Sequence, residues 1–178
     1  ESAELYIRDG KELPPEHAFM KPVLDSLLKK EGRKLTEYEM GVREDLTPCD
    51  FKADDVWARG IADLLIIDDD GLKAWVIDYK TGNNKYPDKD QLILMSLMVF
   101  AHFPHIRQVN SALLFVVKGT AVKQKMMLED VDFHWWRYRE RVAKLASSYS
   151  TGVWNPTSSG LCKQHCPVIS CEFNGKHK

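Results

Sequence analysis

Arg59-Gly60-Ile61-Ala62-Asp63-Leu64-Leu65-Ile66-Ile67-Asp68-Asp69-Asp70-Gly71-Leu72-Lys73-Ala74-Trp75-Val76-Ile77-Asp78-Tyr79-Lys80-Thr81-Gly82 is a pair of apolar runs separated by an acidic turn. Val56 to Ile67 reads as one strand and Leu72 to Tyr79 as the returning one. Asp68-Asp69-Asp70-Gly71 has turn chemistry, with Gly71 free to take a positive φ. Thr81-Gly82-Asn83-Asn84 then breaks the pattern. A hairpin folded at residues 68–71 brings positions near 63 and 78 to the same end of neighbouring strands.

Outward from the hairpin, residues 14–30 predict a helix. Pro14 and Pro15 suit its start, Phe19, Val23, Leu24, Leu27 and Leu28 have helical spacing, and Pro22 marks a kink or the true start. Residues 35–43 alternate as a half-exposed strand, and 44–54, polar and containing Pro48, read as a loop. Downstream, Asp88 or Asp90 caps a helix that runs to about His102 and is apolar nearly all round. Strands follow at Ala112–Val117 and Val122–Leu128, then a helix over 130–149. The order α-β-β-β-α-β-β-α gives an α/β fold, a mixed central sheet flanked by helices with the hairpin at its centre.

The 178 residues fit a single domain over 1–178, with a cysteine-rich segment at 154–178. The hydrophobic fraction, 44%, is ordinary for a globular protein. No run of 18 apolar residues is present, so no membrane span is expected. The acidic start, Glu1-Ser2-Ala3-Glu4, has no apolar signal core. The expected location is the cytoplasm. A net charge of −1 is not the basic excess of many nucleic-acid binders. Carboxylates gathered for a metal would offset basic residues in that sum.

Asp63 interrupts an apolar strand, and Asp78 ends the next. Acids are rarely buried unless paired or bound to metal. Two carboxylates about 4 Å apart repel by about 4 kcal/mol at an effective dielectric of about 20. A divalent cation removes that cost, and oxygen ligands with open water positions suit magnesium or manganese. Lys80, two residues after Asp78, leaves the strand on the same face. A metal held by Asp63 and Asp78 can activate water and polarise a phosphate, with Lys80 stabilising the developing charge. That is a minimal site for phosphodiester hydrolysis. A bare Asp-x-Lys pair on a surface hairpin would have negligible value; the apolar context of both aspartates separates the two readings.

The run Arg59-Gly60-Ile61-Ala62-Asp63, 14 residues, then Asp78-Tyr79-Lys80-Thr81-Gly82 resembles the PD-(D/E)XK nuclease superfamily. Its G-x-x-D and D-Y-K-T-G signature is most similar to the RecB-like exonuclease branch, in a compact phage-type form. The resemblance covers about residues 15–171 and implies a restriction-endonuclease-like core. Gln91-Leu92 matches the branch's downstream glutamine motif, and His17 its upstream metal-binding histidine. Met95 stands where the branch often has tyrosine; Tyr86 is the alternative. The resemblance implies that His17, Asp63, Asp78 and the Tyr79 backbone carbonyl ligate Mg or Mn, that Lys80 is catalytic, and that Gln91 positions substrate or Lys80. Glu39 is a further acid on a neighbouring strand, and a solvated role is the simpler reading for it.

Cys162-x3-Cys166-x4-Cys171 forms a compact group, with Cys49 far upstream. RecB-like nucleases often hold a 4Fe-4S cluster with one upstream and three C-terminal cysteines. A Cys3His zinc site using His165 and reduced free thiols are the alternatives. Arg43, Arg59, Lys85 and Tyr86 flank the centre and are candidate DNA contacts. In the last helix, Trp135, Tyr138 and Val142 have core spacing, which leaves its arginines solvated. The expected function is a metal-dependent DNA exonuclease of repair or recombination, in a bacterial or phage-infected cell, with DNA ends as partner. A structure-specific endonuclease, a non-catalytic DNA-binding subunit and an RNA-processing enzyme are the rivals.

Overall fold

The computed structural model describes every residue except Asn83, Asn84, Tyr86, His177 and Lys178. The proposed DNA contact at Tyr86 therefore lies outside the described residues. The chain divides into two compact units, Glu1–Trp136 and Arg137–Lys178.

The first unit holds the sheet. Its strands are β1 (Arg33–Val42), β2 (Pro48–Cys49), β3 (Ala58–Ile67), β4 (Lys73–Lys80), β5 (Gln108–Phe115) and β6 (Thr120–Met127). They lie in the order β2-β1-β3-β4-β5-β6, so the β3–β4 hairpin is central, as expected. All neighbours are antiparallel except β4 and β5, which makes the sheet mixed. The parallel pair needs a crossover, and α3 (Lys89–His102) supplies it.

Two helical layers cover the sheet. On one face, α1 (Ser2–Asp9) and α2 (Lys21–Leu28) bury Ile7 and Leu24 against Leu64, Ile66, Ile77 and Val116. On the other, α3 packs Leu92 against Leu113 and Phe115. Its apolar residues circle the helix because Leu92, Ile93, Met95, Leu97, Met98, Val99 and Phe100 are all buried. Ser96 is buried among them and donates to the Leu92 carbonyl one turn back, at 2.7 Å.

The helix predicted over 14–30 is a 3-10 turn, Pro15–Met20, leading into α2. Pro22 stands in the first turn of α2, where its missing N–H costs no hydrogen bond. Asp88, not Asp90, caps α3: its carboxylate accepts from the N–H groups of Asp90 and Gln91 at 3.0 and 3.4 Å. The 44–54 loop contains the short strand β2, paired with Gly41 and Val42. Helix α1, at the acidic start, was not expected from the sequence; it buries only Ala3 and Ile7. The last long helix, α4, spans Val131–Thr151. Of its three residues at core spacing, Trp135 is buried against Trp57. Val142 is exposed.

The second unit carries α5 (Gly160–Gln164) and the loop that follows. Asn174 is buried and donates to the carbonyls of Cys166 and Val168 at 3.1 and 2.8 Å, holding that loop together. Among the described residues, no helix is long and apolar enough to cross a membrane.

Candidate active site

The β3–β4 ladder pairs Ile67 with Ala74, Ile66 with Trp75, Leu65 with Val76 and Leu64 with Ile77. The ladder ends at Leu64–Ile77, and extending its register by one step sets Asp63 opposite Asp78. Beyond it, β3 continues against β1 down to Ala58, while β4 continues against β5 up to Lys80. The two carboxylates thus stand at the fork where two central strands part company.

Each carboxylate has defined partners. Oδ2 of Asp63 accepts the backbone N–H of Tyr79 at 2.7 Å, taking a donor that a continued ladder would have used. Oδ1 of Asp78 accepts from Nε2 of Gln91, on the first turn of α3, at 2.5 Å. Nζ of Lys80 lies 2.7 Å from Oδ2 of Asp78. That contact is an ion pair without hydrogen-bond alignment, since Oδ2 is buried with no hydrogen-bond partner among the described residues. Asp78 is 9% exposed, so its charge is largely removed from water.

A cavity of about 600 Å³ opens beside Asp63, and Glu1, Glu4, Glu16, His17, Glu37 and Tyr79 also line it. His17 comes from the 3-10 turn, and its Nδ1 is 2.9 Å from the Ser2 hydroxyl, which leaves Nε2 outside that bond. Metal-ligating histidines are commonly oriented through the second ring nitrogen in this way. Burial pushes the Asp63 carboxyl above its ordinary pKa; the Tyr79 N–H opposes the shift, Asp78 adds to it, and Lys80 offsets part of it. Glu37 is raised by burial and then by the charge of Asp63. The Tyr79 hydroxyl, buried and without a partner among the described residues, is driven well up by burial and then by Asp63 and Glu37.

Glu37 is the acid that reasoning from the sequence passes over. Thr36 pairs with Leu64 and Tyr38 with Ala62, which sets Glu37 across from Asp63. Its φ is +48°, a left-handed conformation rare in a strand. The sheet's faces change over at this level: Leu64 and Ile66 face α2, whereas Gly60 abuts Met95 and Met98 of α3. Glu39 lines a different cavity, with Cys49 and His102. Adding register arithmetic across β1 to the hairpin would have singled out Glu37.

The residues suit a divalent cation. Two opposed carboxylates at a fork, one with a buried oxygen lacking a donor, are the oxygen-rich set such an ion takes. As placed, no three His, Cys, Asp or Glu side chains among the described residues stand close enough to hold an ion. His17 shares the cavity of Asp63, and Asp78 is reached from α3. Among the described residues, none of Cys49, Cys162, Cys166 and Cys171 is in a disulfide.

The expected DNA contacts have structural partners. Arg43 pairs with Asp55 at 2.6 Å and donates to the Pro48 carbonyl, bracing the loop before β3. Arg59 donates to the Phe51 carbonyl at 3.4 Å and stacks on its ring. Lys85 is exposed.

A six-stranded mixed sheet between helices, with acids and a lysine at a central fork, defines an α/β restriction-endonuclease-like core. The family model of the PD-(D/E)XK nuclease superfamily matches residues 7–171. The chain belongs to that superfamily, whose members are mostly nucleases and typically use divalent metals such as magnesium or manganese. A comparison with curated proteins returns no match.

Proposed function

We propose that this chain is a magnesium- or manganese-dependent deoxyribonuclease that acts as an exonuclease in DNA repair or recombination. The observation that supports this reading best is Asp63 across from Asp78 at the strand fork, with Lys80 ion-paired to Asp78. Asp63, Asp78, His17 and the Tyr79 carbonyl would hold the cation, which when bound supplies an acidified water and polarises the scissile phosphate.

The protein's own groups do the rest. Lys80 carries a positive charge beside Asp78, so it can follow charge onto a phosphate oxygen as the transition state forms. Its ion pair keeps the ammonium at the fork rather than in solvent. Gln91 donates to Asp78 and fixes the rotamer of that carboxylate, and the Asp88 cap fixes Gln91 in turn. The Tyr79 N–H holds Asp63 with one oxygen, leaving Oδ1 for other partners.

End-labelled single- and double-stranded DNA, incubated with magnesium, manganese or chelator, tests the reading. The expected result is metal-dependent release of mononucleotides or short fragments from an end. Closed single-stranded circles should stay intact; their cleavage would establish the endonuclease alternative. Absence of cleavage with either metal would leave a non-catalytic nuclease fold. Iron and zinc analysis of the purified chain separates the cluster, the zinc site and the free thiols as states of the cysteines.

A further inference from the structure

A second cavity, of about 710 Å³, opens on the face of the sheet covered by α2, and its charge is opposite to that of the first. Two alternate rungs, whose side chains share a face, build its floor and outer wall. Trp75 aligns with Asn110 and then Lys125; Ile77 aligns with Ala112 and then Lys123. Ser26, Leu27 and Lys30 of α2 and its C-terminal turn form the other wall. No carboxylate is among the lining residues. Lys30, Lys123 and Lys125 form no ion pair with a described residue. Asp68, in the β3–β4 turn outside the lining, feels the charge of Lys30.

Lysines on an edge strand often serve only to block edge-to-edge pairing. Three features go beyond that role. Lys123 and Lys125 alternate onto one face, the face of the cavity, about 6.8 Å apart along the strand. Lys30, in the turn after α2, has its ammonium 3.4 Å from the centre of the Trp75 ring. Asn110 adds a neutral hydrogen-bonding amide between the aromatic and the cationic sides. Cations, an indole and an amide around an open trough are the elements with which proteins track a single nucleic-acid strand.

We infer that this trough between α2 and β6 is an accessory binding site for a single-stranded DNA segment of the substrate, separate from the catalytic fork. The inference rests on the nuclease reading for the identity of the polyanion. The trough shares no lining residue with the cavity beside Asp63 and contains none of Asp63, Asp78, Lys80 or Gln91, so a strand seated here touches residues other than those at the fork. Contacts of this kind tighten binding of long substrates without acting in the chemical step.

The test is the triple variant Lys30→Gln, Lys123→Gln, Lys125→Gln of the full chain, checked for an unchanged thermal melt. Oligothymidylate binding is followed by fluorescence anisotropy in chelator over a range of salt. The slope of log K against log[salt] should fall by about 2, since each single-strand phosphate that a lysine no longer neutralises removes about 0.7. KM for a long strand should rise about 10-fold, with kcat and the cleavage of a trinucleotide reporter unchanged. Trp75→Leu should weaken oligothymidylate binding without changing the salt slope. An unchanged slope in the triple variant, in a chain that cuts DNA, overturns the inference and leaves the nuclease reading standing. Lysine-dependent binding by a chain that cuts nothing supports the trough and removes the nuclease reading. Competition by polyglutamate as strong as by oligothymidylate overturns the assignment to nucleic acid.

Discussion

The backbone N–H of Tyr79 donates to Oδ2 of Asp63 at 2.7 Å, at the level where β3 and β4 stop pairing. A side chain replaces a backbone carbonyl as the acceptor, so the strands can part without orphaning that N–H. The same replacement holds one carboxylate at the mouth of the fork. A hydrogen bond to the ionised form favours it, yet burial and Asp78 together outweigh that bond and leave the carboxyl raised.

That balance predicts a pH dependence of unusual sign. Asp63 and Glu37 both have folded pKa values above their ordinary ones. Their neutral forms are favoured in the fold, so metal-free chain should lose stability as pH rises through the raised values; a salt-bridged carboxylate does the reverse. Urea melts in chelator from about pH 4 to about pH 7 should show this loss, and Asp63→Asn should flatten it. Magnesium or manganese should restore stability to the parent, by about 2.7 kcal/mol at about 100 times its Kd, and much less to Asp63→Asn. Equal gains for both proteins would count against Asp63 as a ligand.

Lys80 and Gln91 reach opposite oxygens of Asp78, and their losses should differ in kind. Lys80→Ala should lower kcat by about 10² to 10³-fold with metal affinity little changed. Gln91→Ala leaves the carboxylate without its orienting donor and should weaken metal binding by about 10-fold or more. Manganese titration followed by calorimetry separates the two effects, and an unaltered Kd in Gln91→Ala would remove the positioning role.

Glu37 holds a left-handed φ inside β1. A non-glycine residue there costs about 1 to 2 kcal/mol, and glycine avoids most of that strain. Glu37→Gly should therefore raise stability by about 1 kcal/mol in chelator, read from denaturant midpoints. A stabilised variant with reduced cleavage would identify the strain as maintained for the site; a destabilised one would show that the conformation is not strained.

The Asp88 carboxylate caps α3 through Asp90 and Gln91. Asp88→Ala should cost about 1 kcal/mol. Because Gln91 is in the capped turn, cleavage should fall more than stability explains. Asp88→Ser, another good cap, should recover both.

The hairpin was legible in the sequence because apolar runs, an acidic turn and a strand period of two leave few other arrangements. Asp63 and Asp78 stood out as acids in apolar strands that the hairpin makes neighbours, and strand parity put Lys80 on the face of Asp78. The capped α3 was legible for the same local reason: a capping aspartate ahead of a long apolar stretch. Helix α1 was not, because eight mostly polar residues with two buried positions carry little periodic signal. Glu37 and Glu39 look equivalent in an alternating strand, and choosing between them needs the pairing of β1 with β3. Arg43 and Arg59 read as cations near a site until Asp55, Pro48 and Phe51 are seen to engage them.

The α/β order, the central hairpin and the acid-and-lysine set can be read from the chain alone, since each depends on contacts within about 20 residues and on fixed backbone periods. Three relations come from the folded arrangement instead: β3 and β4 part at Asp63 and Asp78, Gln91 returns from α3 to hold Asp78, and Trp75, Lys30, Lys123 and Lys125 share a trough. The physical reason is that these relations join strands and helices far apart in the chain. Sheet register and helix packing bring such residues together, and no local preference encodes either.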